Sequence, residues 1–163
     1  MGQQEDIPWQ SLDKGGLHAC PAMRRPGGRP EMLSRDVEIS SFRMTVRLHA
    51  VHGRGEEPYI ESQPWLELLG TATEPVRDVT NVRISMYPQD ELRVGTARPA
   101  AVGAIIGARP ELSVVMTWPH LDFDRVWGLV LGGRLKYSHL YFTKPHCGHG
   151  LVVSASFSNE LEE

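Results

Sequence analysis

Residues 143–150, TKPHCGHG, place His146, Cys147 and His149 within four consecutive positions. Imidazole nitrogen and thiolate sulfur are ligands that zinc prefers, and a thiol beside a histidine can also act as a nucleophile with its base. A tight turn presents two or three ligands, whereas zinc binds four. The stretch is therefore half of a zinc site, a reactive thiol with its base, or the polar tip of a hairpin.

A second stretch near the amino terminus, LHACP, offers the missing zinc ligands. His18 and Cys20, together with Cys147 and His149, would form a Cys2His2 set, and zinc binding would order the amino-terminal segment. Structural zinc sites usually present paired cysteines as C-x2-C to C-x4-C, and neither stretch has that spacing. We therefore expect an exposed hairpin loop, and the alternative is a zinc-binding protein or a zinc-dependent hydrolase.

Arg43, Arg47 and Arg83 occupy polar positions of predicted strands. If those strands are neighbours, the three guanidinium groups share one face of a sheet and can bind phosphates. The formal net charge is -3, however, and the arginines are scattered among carboxylates, so no long basic stripe is present. Nucleic-acid binding is therefore the second alternative.

The remaining chemical candidates are single residues. Trp9 lies in a polar segment, where we expect it to dock on a protein surface or to have no partner. His139 lies between aromatic residues on a predicted strand, and we expect a structural role for it. The chain has no Walker A loop, dinucleotide-binding glycine motif, G-x-S-x-G elbow or metalloprotease helix motif. No catalytic residue is therefore assigned, and a non-enzymatic protein is expected.

Alternating apolar and polar residues predict the strands that position these groups. In SFRMTVRLHA, apolar side chains occupy every second position from Phe42 to Ala50. Val37 and Ile39 have the opposite phase, so a bulge is expected at Ser40–Ser41. The segments PWLELLGTA, VRDVTNVRISMYP, ELSVVMTWP, RLKYSHLYFTKP and LVVSASFS also have the composition of strands.

One helix is predicted after Asp122, which would cap it, and before Gly132–Gly133, which would end it. The apolar residues at helical spacing are Phe123, Val126, Trp127, Val130 and Leu131. One short covering helix and about seven or eight strands indicate a mainly β fold. We predict an antiparallel two-sheet sandwich or an open barrel.

Composition divides the 163 residues into three parts. Residues 1–35 are rich in Gly and Pro and predict a flexible arm, residues 36–159 form the β-sandwich domain, and residues 160–163 are an acidic tail. The start of the chain lacks the pattern of a secretory signal, and no apolar run is long enough to span a bilayer. We therefore expect a soluble, cytoplasmic protein with reduced thiols and no membrane partner.

The sequence favours a non-enzymatic interaction or assembly module. The catalytic and metal-binding patterns are incomplete, and a sheet with open edges invites pairing with other chains. We expect self-association or a protein partner, with contacts made by sheet edges and by the amino-terminal arm.

Overall fold

The computed structural model describes residues 29–51, 59–89 and 101–161. These ranges contain seven strands and one helix. In chain order they are β1 (Met32–Val51), β2 (Tyr59–Val76), β3 (Val79–Pro88), β4 (Gly103–Gly107), β5 (Leu112–Trp118), α1 (His120–Leu131), β6 (Tyr137–Thr143) and β7 (Gly150–Ser158).

The seven strands close into a barrel in the order β1-β2-β3-β5-β4-β7-β6, and β6 returns to pair with β1. All neighbours are antiparallel except β3 and β5, which are parallel. The prediction of a mainly β fold is confirmed, and the two-sheet sandwich is wrong. The barrel is closed rather than open because β1 pairs with β6 through its first residues and with β2 through the rest.

Inward-facing apolar side chains fill the barrel. Every second residue of the central strands is buried, as in Leu66 and Leu68 of β2 and in Val82, Ile84 and Met86 of β3. This spacing follows from the alternation of side chains along a strand. Full burial of each such side chain contributes about 1.5–3 kcal/mol, so the predicted alternation supplies most of the driving force for folding.

The helix α1 packs on this core through Phe123, Val126 and Val130. It begins at His120 after Pro119, without a side-chain cap, so the capping role predicted for Asp122 is wrong. Asp122 lies instead in the first turn and pairs with Arg125 at 2.8 Å. Gly132 caps the carboxyl end, as predicted. None of the helices in the described part of the chain has the length and apolar composition of a bilayer-spanning segment.

The strand β1 begins at Met32, inside the segment predicted as a flexible arm. Glu31 to Glu163 form one compact unit, so the strand alternation that starts near Asp36 missed the first residues of the barrel. The register between β1 and β2 shifts between Ile39 and Ser41, which confirms the predicted bulge. The bulge reverses the phase, so Val37 and Phe42 both face the interior side.

The two longest strands extend beyond the barrel. β6 pairs with β1 only over Met32–Glu38, and β3 pairs with β2 only from Leu66 onward. The segments 45–51 and 59–65 pair with each other, and no further strand among the described residues pairs with them. We call this two-stranded extension the ribbon.

Candidate functional site

The apolar side chains that face the interior of the barrel continue along one face of the ribbon, where they are exposed to solvent. Val46, Leu48 and Ala50 lie opposite Pro64, Ser62 and Ile60, and residues opposite each other share a face. Leu48 is 70% exposed and Ile60 is 74% exposed, whereas Leu66 and Leu68 on the same face of β2 are fully buried. The face loses its covering where the barrel ends, and it carries no charged residue.

Aromatic packing holds the base of the ribbon. Phe42 lies on the same face as Val46, and its ring meets the ring of Trp127 from α1 edge to face. Met44, the next residue on this face, packs against the buried core. The apolar face therefore runs without interruption from the helix to the exposed end of the ribbon.

The opposite face of the ribbon is polar and internally paired. The guanidinium of Arg47 lies 4.5 Å from the centroid of the Trp65 ring, and Trp65 packs against Tyr87 of β3 at 6.2 Å. Burial raises the pKa of Tyr87 above its usual 10.0; Glu67 raises it further, and Arg47 opposes this effect. This face therefore places an arginine and a half-buried phenol around one tryptophan.

Arg43 of β1 and Arg83 of β3 lie on the same outward face of the sheet as Arg47, and β2 lies between the two strands. Each faces a carboxylate: Arg43 approaches Glu67 at 3.8 Å, and Arg83 approaches Glu67 at 3.9 Å and Glu111 at 2.9 Å. The strands of Arg43 and Arg83 are therefore not neighbours, and the Glu67 carboxylate of β2 lies between the two guanidinium groups. Arginines paired with carboxylates in this way present less positive potential to a polyanion than three unpaired arginines would.

Both outer edges of the ribbon have features that oppose strand addition. On β2, Pro64 has no N–H and fits a strand only where its nitrogen faces away from the ladder. On β1, the polar face next to the edge carries Arg47, and charged side chains discourage pairing with a further chain. These features disfavour the edge association that the sequence predicted.

The residues first considered for metal binding form a tight hairpin turn. The His146 N–H donates to the His149 carbonyl at 2.8 Å, and the His149 N–H donates back at 3.0 Å. Cys147 and Gly148 have positive φ values of 50° and 85°, as a type I′ turn requires. The hairpin interpretation is confirmed.

Cys147 Sγ lies 3.2 Å from Nδ1 of the preceding His146, so the sulfur and the imidazole are in contact within the turn. Cys20, the only other cysteine, lies outside the described residues, as do His18 and Trp9. In the described ranges, no group of three or more His, Cys, Asp or Glu side chains is arranged to hold a metal ion.

Three hydrogen-bonded side chains that the sequence did not predict as a group lie on the outer face of the sheet formed by β1 and β6. His139 Nδ1 is 2.7 Å from Asp36 Oδ1, and His139 Nε2 is 2.8 Å from Ser34 Oγ. Ser34 falls in the segment predicted as a flexible arm, and Asp36 and His139 are 103 positions apart in the sequence, so no local pattern joins them. The sequence contained one indication of this group, the Ser-x-Asp spacing of Ser34 and Asp36, which puts both side chains on one face of a strand.

Comparison of the chain with models of protein families, with curated proteins and with solved structures finds no match.

Proposed function

We propose that the protein is a self-associating assembly module in which the apolar face of the ribbon packs against the same face of a second copy. The observation that carries this proposal is the exposure of Leu48 and Ile60 on a regular two-stranded surface. Scattered apolar residues are normal on protein surfaces, but a contiguous apolar patch marks an interaction site.

The chemistry of the face favours a second copy as its partner. Centres of homodimer interfaces are more apolar than other interfaces and are depleted in charge. The described residues of this face are uncharged, whereas the opposite face carries Arg47, His49 and Glu61. A two-fold axis through the face would bring Val46, Leu48 and Ile60 of one chain against apolar residues of the other, and no charge would lack a partner.

The size of the ribbon limits the strength of this association. Seven residue pairs at the usual rise give a surface about 23 Å long, and two strands give a width of about 10 Å. This is well below the roughly 800 Å² that each partner buries in a stable interface. A dimer with a dissociation constant in about the micromolar range or weaker is therefore expected.

Sedimentation velocity over a wide range of concentrations tests the proposal. The wild-type chain should dimerise reversibly, and Leu48→Lys or Ile60→Lys should weaken dimerisation by about tenfold or more, because either change buries a charge at the interface. His49→Lys is the matched control, since it places the same side chain next to Leu48 on the opposite face. It should leave dimerisation unchanged.

Two results would reject self-association through this face. One is a wild-type chain that stays monomeric up to hundreds of micromolar. The other is a dimer that Leu48→Lys and Ile60→Lys leave as strong as His49→Lys does. Thermal unfolding of each variant, recorded in parallel, shows whether the barrel itself is intact.

A further inference from the structure

The pairing of β1 with β6 explains why Ser34, Asp36 and His139 meet. The Lys144 N–H donates to the Glu31 carbonyl, and the Ile39 N–H donates to the Lys136 carbonyl, so odd-numbered residues of β1 exchange hydrogen bonds with β6. Ser34 and Asp36 therefore occupy the non-hydrogen-bonded positions, where side chains of opposite residues are closest. Asp36 lies directly opposite His139, and Ser34 lies diagonally from it.

With Asp36 ionised and His139 neutral, the direction of both hydrogen bonds follows from the chemistry of the groups. An ionised carboxylate only accepts, so His139 donates its Nδ1–H to Asp36. In a neutral imidazole, Nε2 is then the acceptor, and the Ser34 hydroxyl donates to it. This is the arrangement in which a serine is poised to lose its proton to a histidine that a carboxylate orients.

We propose that Ser34 is the nucleophile of an acyl-transfer site, with His139 as its general base. Asp36 is a positioning residue, because it contacts the imidazole and not the substrate. The site lies on an open wall: Ser34 is exposed, and the side chains of Asp36 and His139 are about one-third exposed. The substrate class is therefore a small activated ester or an ester displayed on a larger molecule.

The reaction proceeds in two balanced steps. The Ser34 oxygen attacks the ester carbonyl carbon and forms a C–O bond while its proton passes to His139 Nε2. The bond to the alcohol then breaks, and the alcohol leaves with that proton. Water, activated by the same nitrogen, attacks the acyl-serine, releases the carboxylic acid and restores the Ser34 hydroxyl. A general base of this kind contributes about 10²–10⁴ to such a rate.

Covalent labelling of the full-length chain with a fluorophosphonate, followed by peptide mass spectrometry, tests the assignment. The serine oxygen displaces fluoride from phosphorus, and the adduct should map to Ser34. Ser34→Ala should abolish the adduct, and His139→Gln should slow its formation by about a hundredfold. Asp36→Asn should slow it by about tenfold or more, because it disturbs the imidazole tautomer.

The matched control is Ser154→Ala. Ser154 is an exposed serine of β7 and lies opposite Tyr141 on the neighbouring strand pair. This variant should label at the wild-type rate. The release of nitrophenol from p-nitrophenyl acetate provides a second readout, and Ser34→Ala should lower it at least tenfold. Equal labelling of Ser34 and Ser154, or ester cleavage that Ser34→Ala leaves unchanged, would overturn the proposal.

Discussion

The rings of Phe42 and Trp127 meet edge to face, with their centroids 6.1 Å apart and their planes at 79°. Phe42 lies where β1 leaves the barrel, and Trp127 lies on the helix that packs on the core. The contact joins the base of the ribbon to the folded domain, so the orientation of the apolar face depends on it.

A double-mutant cycle measures this contact. Phe42→Ala and Trp127→Ala should each destabilise the domain, and the two should be coupled by about 1 kcal/mol, since edge-to-face pairs contribute about 0.5–1.5 kcal/mol beyond burial. Chemical denaturation of the two single variants and the double variant supplies the free energies of unfolding. The control cycle combines Phe42→Ala with Phe157→Ala, whose ring packs on Trp118 instead, and it should be additive. Additivity in the first cycle would show that the ring contact contributes nothing.

Two glycines should respond to alanine in opposite directions. A Cβ on Gly70 would press on the Glu38 carbonyl oxygen and lie 2.8 Å from Val37 Cγ1, where β1 and β2 approach closely. Gly70→Ala should therefore cost about 2–3 kcal/mol. A Cβ on Gly128, on the exposed side of α1, would meet nothing within 4 Å outside the helix's own backbone, so Gly128→Ala should add about 0.5–1 kcal/mol of stability. Thermal unfolding measures both, and a neutral Gly70→Ala would show that the strands are not this close.

Removal of two buried hydroxyl groups, one without and one with a hydrogen-bond partner, should change the stability of the domain in opposite directions. Ser138 is fully buried, and its Oγ has no hydrogen-bond partner within the described part of the chain. Ser138→Ala should stabilise the domain by about 1 kcal/mol, because burial of an unsatisfied hydroxyl is costly. Thr143 Oγ1 accepts the Leu151 N–H at 2.8 Å, so Thr143→Val should cost about 1–3 kcal/mol. Thr143→Ser keeps the acceptor and should cost less. Denaturation in which both hydroxyl deletions destabilise equally would contradict this distinction.

The raised pKa of Tyr87 makes stability depend on alkaline pH. The folded chain holds the phenolic proton more tightly than the unfolded chain, for which the pKa is 10.0. The contribution is therefore complete below pH 10 and is lost as the pH rises through the folded pKa. The free energy of unfolding should fall more steeply in this range for the wild type than for Tyr87→Phe.

The tyrosinate absorbance, taken as wild type minus Tyr87→Phe, reports the pKa of Tyr87 directly. Glu67→Gln should lower it, because the Glu67 carboxylate disfavours the charged phenolate. A difference titration with a midpoint at or below 10 would disprove the effect of burial.

Local patterns in the sequence were sufficient to predict most of the elements. Alternation identified the inward residues of β3, the bulge near Ser41 and the apolar face that includes Val46 and Leu48. Gly148 within a short polar stretch predicted the hairpin turn, and helical spacing identified Phe123, Val126 and Val130. Leu131 has the same helical spacing, but it is the last residue of α1 and is 66% exposed.

The sequence by itself determined which side chains share a face of a strand or helix, because that depends only on the repeat of each element. The tertiary structure alone decided what covers each face. It closed the barrel through β1 and β6, left the apolar face of the ribbon exposed beyond β3, and brought His139 to Ser34 and Asp36. The closure of the barrel and the meeting of His139 with Ser34 and Asp36 depend on pairing between residues about a hundred positions apart, and short-range periodicity carries no information about such partners.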